Sequence, residues 1–168
     1  DQSSVEPNHK TKFMQPYKLD PTDHKLLSLL QQDGTMTYKE LCLATYKTYH
    51  PIVERVNRLK KLGYIQKTIA IVDIGKIKSL FTAFPMVQLN SHSKETFTSF
   101  QRQVSKHPEI MECHHIMGQF DFILKVVVPD LGAYHTFLRK HIATLEEVKR
   151  LESFPVLAEI KRDYTYKL

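Results

Sequence analysis

The 168-residue chain is expected to form an α+β fold in two parts: three short helices, then the order β-α-β-β-α-β. Capping signals and helical apolar spacing recur three times before Gly63. After Gly63, β-branched and aromatic runs alternate with helical runs. The surplus of positive charge also gathers at the front: residues 18–67 hold 9 Lys/Arg against 5 Asp/Glu, residues 68–168 hold 13 against 11. A basic surplus that is denser in one part is expected if that part touches phosphate.

Asp20-Pro21-Thr22-Asp23 opens the first helix, with an N-cap Asp, Pro in the first turn and a second Asp near the positive end of the dipole. Leu26, Leu27 and Leu30 follow at helical spacing until Asp33-Gly34. Thr37-Tyr38-Lys39-Glu40 is a capping box that opens a short second helix, with Leu41 and Ala44 inward. Thr48 is placed to cap a third helix, with Pro51 in its first turn and Gly63 closing it. Its core stripe is Ile52, Val56 and Leu59; Arg55, Arg58 and Lys61 follow at steps of three, with Thr48 and His50 near the N-terminal end. A helix that enters the major groove of DNA needs this division between an apolar side and a basic side. The candidate DNA-binding residues are therefore Thr48, His50, Arg55, Arg58 and Lys61, and a merely solvated basic face is the alternative.

Residues 64–72 read as a strand, and residues 73–79 as a connector. A strand at residues 80–89 precedes a helix at 94–107 carrying Phe97, Phe100 and Val104. Strands at 110–117 and 120–128 meet across Gly118-Gln119, read as a two-residue hairpin turn. A helix at 131–144 turns Leu131, Tyr134, Leu138, Ile142 and Leu145 inward, and residues 148–161 close with strand character. This order from residue 80 is the ferredoxin-like split βαβ. The domain expectation is a flexible tail at 1–17, a helix-turn-helix (winged-helix-like) DNA-binding domain at 18–64, a strand linker at 65–79 and a ferredoxin-like sensing and oligomerisation domain at 80–168. Met14 is the first methionine, so residues 1–13 are read as either an appended segment or a native tail.

Several function classes find no support. There is no Gly-x-Ser-x-Gly, phosphate loop or dinucleotide fingerprint, so no catalytic residues are proposed and the chain is not read as an enzyme. Cys113-His114-His115 has a metal-like composition, but on a strand Cys113 and His115 face one side and His114 the other, so no metal or other cofactor is expected. Two distant cysteines imply no disulfide framework. No apolar run is long enough to span a membrane, and residues 1–17 lack the apolar core of a signal peptide. The expected location is the cytoplasm.

Leu19-Asp20-Pro21-Thr22-Asp23, Asp33-Gly34, Glu40-Leu41, Glu54-Arg55-Val56, Gly63-Tyr64-Ile65, Glu112-Cys113-His114, Met117 through Lys125, and Val128-Pro129-Asp130 together resemble the Lrp/AsnC (feast/famine) transcription regulators. The resemblance spans about residues 19 to 163 and is most specific at Gly118-Gln119-Phe120-Asp121-Phe122. It implies binding to double-stranded DNA, homodimers through the regulatory sheet, assembly into rings of four dimers, and an amino-acid effector at interfaces between dimers. The implied effector site is Gly118, Gln119, Phe120 and Asp121. On chemical grounds a free amide at Gly118 and the carboxylate of Asp121 suit a zwitterion; the alternative is a turn glycine and an Asp121–Lys125 pair. The rival function is an amino-acid-sensing oligomeric module with weak or no specific DNA binding.

Three departures from that pattern carry structural expectations. The turn Ala44-Thr45-Tyr46-Lys47 has no glycine, so a left-handed Tyr46 would be strained and a reshaped turn is expected. Tyr49-His50-Pro51 replaces the more usual start of the reading helix, so groove contacts cannot be copied from relatives. Pro85 falls inside a central strand, where a bulge or local break is expected.

Overall fold

The computed structural model describes residues 17–168; the remainder of the expected tail lies outside the described residues. The chain forms two compact units, one running to Ala70 and including Asp163–Leu168, the other Ile71–Arg162.

In the first unit α1 (Pro21–Gln32), α2 (Tyr38–Thr45) and α3 (Tyr49–Lys61) form where the caps place them. Asp20 and Asp23 form a reciprocal capping box, as do Thr37 and Glu40, so orphan amides at both helix starts are satisfied. Leu26, Leu27, Leu41, Ile52, Val56 and Leu59 are the shared core, with Leu30, Met36 and Ile65 against it. On α2, Thr45 is buried where Ala44 was expected; its hydroxyl bonds the Leu41 carbonyl at 2.7 Å, which removes the penalty of burying it.

The turn between α2 and α3 is not reshaped. Tyr46 adopts φ 55°, ψ 40°, the left-handed region that a glycine would occupy without strain. Lys47 N–H then donates to the Cys42 carbonyl at 3.2 Å, closing α2, and the Tyr46 ring stays exposed, with the Lys25 ammonium 5.6 Å from its centroid.

Residues 64–72 do not form the expected strand; after a bend at 64–65 the segment has no regular structure and leads into a 3-10 turn at Ile74–Lys76. A strand needs a neighbour for its amides and carbonyls, and none pairs with it among the described residues; Ile69, Ile71 and Val72 stay 60–65% exposed. The segment does close over the helices at Thr68: a Cβ at Gly34 would come within 2.7 Å of the Thr68 methyl. At the other end of the chain, the Gln31 carboxamide brackets the Tyr166 backbone, accepting its N–H at 2.9 Å and donating to its carbonyl at 3.3 Å.

The second unit has β1 (Phe81–Leu89), α4 (Lys94–Val104), β2 (Ile110–His115), β3 (Phe122–Val128), α5 (Leu131–His141) and β4 (Val148–Pro155). The antiparallel sheet runs β2-β3-β1-β4, as the split βαβ reading requires. Alternation decides which side is core. Ala83, Val87, Leu124 and Val126 pack under Phe100, Val104, Tyr134, Phe137 and Ile142, while Phe84, Met86, Ile123 and Val127 lie half-buried on the other face. Pro85 interrupts pairing with β3 between Ala83↔Val126 and Met86↔Ile123 without changing register; the bulge lies further on, against β4 at Gln88/Leu89.

The hairpin, the last strand and one residue read as inward differ from the sequence reading. The β2–β3 connection is not a two-residue turn but spans residues 116–121, closed by Ile116 N–H to the Asp121 carbonyl at 2.9 Å. β4 ends at Pro155, and Leu131, the first residue of α5, is 50% exposed because the buried face begins one turn later at Tyr134.

Replacing Tyr46 by Gly should relieve the left-handed strain. The helical unit is expected to gain about 0.5–1 kcal/mol, the remainder after glycine's entropy cost, read as a higher urea midpoint at unchanged slope.

Candidate nucleic-acid interface and hairpin site

Asp23 is fully buried in the first turn of α1. Its carboxylate accepts from the Tyr17 hydroxyl at 2.8 Å, the Asp20 amide at 3.2 Å and Arg55 Nη1 at 2.9 Å. Arg55 also reaches Asp20 at 2.5 Å, and Arg58 Nη2 lies 3.6 Å from Asp23. Burial pushes the Asp23 carboxyl up, but the Tyr17, Asp20 and Arg55 hydrogen bonds outweigh it and hold the group below the ordinary carboxylate range. The Arg58 guanidinium lies 4.5 Å from the Tyr17 ring centroid, and the Tyr64 hydroxyl donates to the Tyr17 carbonyl at 2.9 Å. Both ends of the helical unit are thereby tied to α3.

Arg55 is therefore held against α1 rather than turned outward. Steps of three residues fall about 60° short of a full turn each time, so the stripe Arg55-Arg58-Lys61 winds around the helix from the α1 flank to the outside. The outward face is instead His50, Glu54, Asn57 and Lys61. His50 Nε2 lies 3.3 Å from Glu54 on this exposed side, and Lys61 is exposed at its C-terminal end. Thr48 occupies the N-cap position, but its hydroxyl makes no capping bond. Of the five sequence candidates, Thr48, His50 and Lys61 are displayed, Arg58 is shared between Tyr17, Asp23 and solvent, and Arg55 is committed. Asn57 was overlooked; counting four and three residues on from His50 finds it.

In the hairpin, Gly118 adopts φ 138°, and Gly118 and Gln119 are exposed above a buried Phe120 whose ring carries the Arg150 guanidinium at 5.4 Å. The Asp121 amide donates to the Val87 carbonyl at 2.9 Å, and its carboxylate accepts the Leu89 amide at 2.7 Å. Asp121 thus continues the β1 edge where β3 has ended, a side chain standing in for a strand. Its other oxygen lies 2.9 Å from His92 Nε2. The alternative pairing of Asp121 with Lys125 does not form: Lys125 is on the open face of the sheet and pairs with Glu112 at 2.9 Å. His114 shares that face, 3.2 Å from Glu112, while His115 stacks on Phe122. Burial raises the Cys113 thiol above its ordinary range. Among the described residues, no helix is long and apolar enough to cross a membrane, and no group of three or more His, Cys, Asp or Glu is placed to hold a metal.

Residues 19–66 match the winged helix-turn-helix DNA-binding family, and residues 82–166 match the Lrp/AsnC ligand binding domain. The chain belongs to the Lrp/AsnC family. The leucine-responsive regulatory protein of Escherichia coli is 33% identical over 144 residues, covering 86% of this chain and 88% of that protein. A Neisseria meningitidis transcriptional regulator solved as a complex with L-Met superposes with a TM-score of 0.83 at 27% identity, over 89% of this chain and 97% of the other. An AsnC family transcriptional regulator from Agrobacterium tumefaciens gives a TM-score of 0.82 at 30% identity, with the same 89% and 97% coverage. This Lrp/AsnC chain is a DNA-binding transcriptional regulator with a helix-turn-helix unit and a ferredoxin-like ligand-binding domain.

Arg55→Ala should destabilise the helical unit by about 3 kcal/mol, because it leaves a buried carboxylate short of its main cation; chemical denaturation measures it. Since the folded Asp23 carboxyl sits below its unfolded value of about 3.9, its contribution is present above that pH and is lost as pH falls further. Melting temperature is expected to be flat near neutrality and to drop below about pH 4. Asp23→Asn should melt lower at pH 7 and show a shallower acid decline; Asp20, Asp33 and Glu40, also held low by hydrogen bonds, retain the rest of it.

Proposed function

We propose that two or more copies present their α3 helices to repeated half-sites on duplex DNA, with Thr48, His50 and Asn57 reading base edges. Lys61 and Arg58 contact phosphate, and Arg55 holds the helix in place. The supporting observation is the division of α3 itself. One flank is locked to α1 through Asp23, which fixes the helix angle, while the opposite face carries polar side chains and a cation turned to solvent. Self-association through the sheet is supported by Phe84, Met86, Ile123 and Val127, a half-buried apolar row on the face opposite the helices. Such a regulator works in the bacterial or archaeal cytosol, associated with DNA.

The hairpin is the proposed effector site, and an amino acid is the proposed effector. The L-Met complex of the Neisseria regulator supports that chemistry. Gly118 presents backbone to the ligand carboxylate, Gln119 and Phe120 shape the loop, and Asp121 takes the ammonium group. Because Asp121 also caps the Leu89 amide, a ligand that draws on the carboxylate bears directly on the end of β1. Effector binding alters the arrangement of dimers and so the spacing of their α3 helices. Such a coupling amounts to about 1–3 kcal/mol.

Fluorescence anisotropy on DNA from immediately upstream of the gene tests the reading helix. Lys61→Ala should lower the salt slope by about one and weaken binding to all sequences, whereas Asn57→Ala should cost about 1–3 kcal/mol on the preferred site alone. Unchanged binding by both variants at unchanged melting temperature would remove α3 as the reader. For the effector, Asp121→Asn keeps an oxygen for the Leu89 amide but loses the charge. It should fold normally and lose any amino-acid-induced shift in affinity or particle size seen in the unaltered protein.

A further inference from the structure

The ends of α4 and α5 meet on the side of the second unit away from the sheet. His107, just past α4, packs its ring at a tilt against His141, centroids 4.4 Å apart, and touches Phe137 edge-on at 5.4 Å, so the residues that follow α4 lie against the last turn of α5. Lys106, next to His107, and Arg139 and Lys140, in the last turn of α5 with His141, flank that contact, while Arg102 lies in the last turn of α4. Arg102, Lys106, Arg139 and Lys140 are exposed and make no ion pair among the described residues; Lys106 donates to the neutral Gln103 carboxamide, at 2.9 Å. The carboxylates of this unit are largely used elsewhere. Asp73 faces Lys76, Glu112 faces Lys125, Asp121 faces His92, Glu152 faces Arg150, Glu159 faces Arg162, Asp130 caps α5 and Glu147 accepts from Ser99. Two carboxylates lie nearer: Glu95 lines the same hollow as Arg102, and Glu109 favours a charged His107, its Oε2 buried without a hydrogen-bond partner among the described residues. Burial and the charge of His141 hold His107 below the ordinary imidazole range.

Cations at a helix C-terminus are favourable toward the dipole, by about 0.3–1 kcal/mol each. That accounts for one cation at each end. It does not account for Lys106, Arg139 and Lys140 gathering around a histidine pair, where their mutual repulsion opposes them. A polyanion resolves that repulsion. The first unit already belongs to a DNA-binding regulator, and duplex DNA carries one negative charge per about 1.7 Å of axis.

We propose that this Lys106–Arg139–Lys140 surface is a second DNA contact, gripping phosphates without reading sequence. It rests on the DNA-binding reading above and adds affinity and salt dependence to it. The reading helix chooses the site, and the sensor unit holds the backbone.

The test uses the full chain on a duplex from upstream of its gene and on an unrelated duplex of equal length, by anisotropy across a salt series. Removing three cations together (Lys106→Ala, Arg139→Ala, Lys140→Ala) should weaken both duplexes by about tenfold or more, and should lower the salt slope by about two to three. A control with the same charge loss elsewhere on the unit (Lys78→Ala, Lys94→Ala, Lys149→Ala) should change both by much less. Equal losses in the two variants would reduce the effect to net charge and overturn the proposal, as would no loss in the first. So would a change in particle size by light scattering, which would make the surface a contact between copies. Failure of the reading helix is distinguishable: Lys61→Ala and Asn57→Ala would then bind as the parent does, while the triple variant still loses its slope.

Discussion

The buried carboxylate of Asp23 is the constraint on which the helical unit depends. A charge removed from water in a small helical domain is costly, and it is tolerated here because every side of it is answered: a phenol, a backbone amide and a guanidinium, with a second guanidinium just beyond bonding distance. The partners come from three places in the sequence, and meeting them fixes where α3 crosses α1. Apolar packing alone would allow Ile52, Val56 and Leu59 to settle at neighbouring angles. The charged cluster selects one of them, and a groove-reading helix needs one.

Local chemistry was legible in the sequence, and partners distant along the chain were not. The boxes at Asp20/Asp23 and Thr37/Glu40 close over three residues, so reading their letters suffices to place two helix starts. The helical apolar stripes and the β-α-β-β-α-β order were equally readable, because alternation and 3.6 spacing are properties of consecutive residues. The ion pairs of Arg55 were not foreseen, because its partners lie more than thirty positions earlier and nothing near it in the chain marks them. Residues 64–72 have strand chemistry but no neighbour to pair with, a fact no composition reveals. Tyr46 shows the reverse: the absent glycine was noticed, yet the fold keeps the left-handed geometry and bears the strain.

In the hairpin, a side chain singled out for its chemistry has a structural task that its position in the sequence does not announce. From the sequence Asp121 was a loop carboxylate suited to an ammonium group or to pairing with Lys125. In the structure it is mostly covered, bonded to the end of β1, and its partner is His92 rather than Lys125. The bulge at Gln88/Leu89 is the reason, because it changes the ladder against β4 just where β1 outruns β3. A carboxylate there completes the sheet edge before it does anything else.

The pairing of β1 with both β3 and β4 has a consequence for how the chain is made. Contacts in the helical unit are mostly local, so it can close soon after its third helix leaves the ribosome. The sensor unit cannot do the same. Its central strand is the first one synthesised, and one edge of it waits for Val148–Pro155, the last strand to emerge. During that interval Phe81–Leu89 and the apolar stretch before it are an unpaired template for any neighbouring strand. Partner choice between identical nascent chains is thus set by the order of synthesis as well as by the finished surfaces.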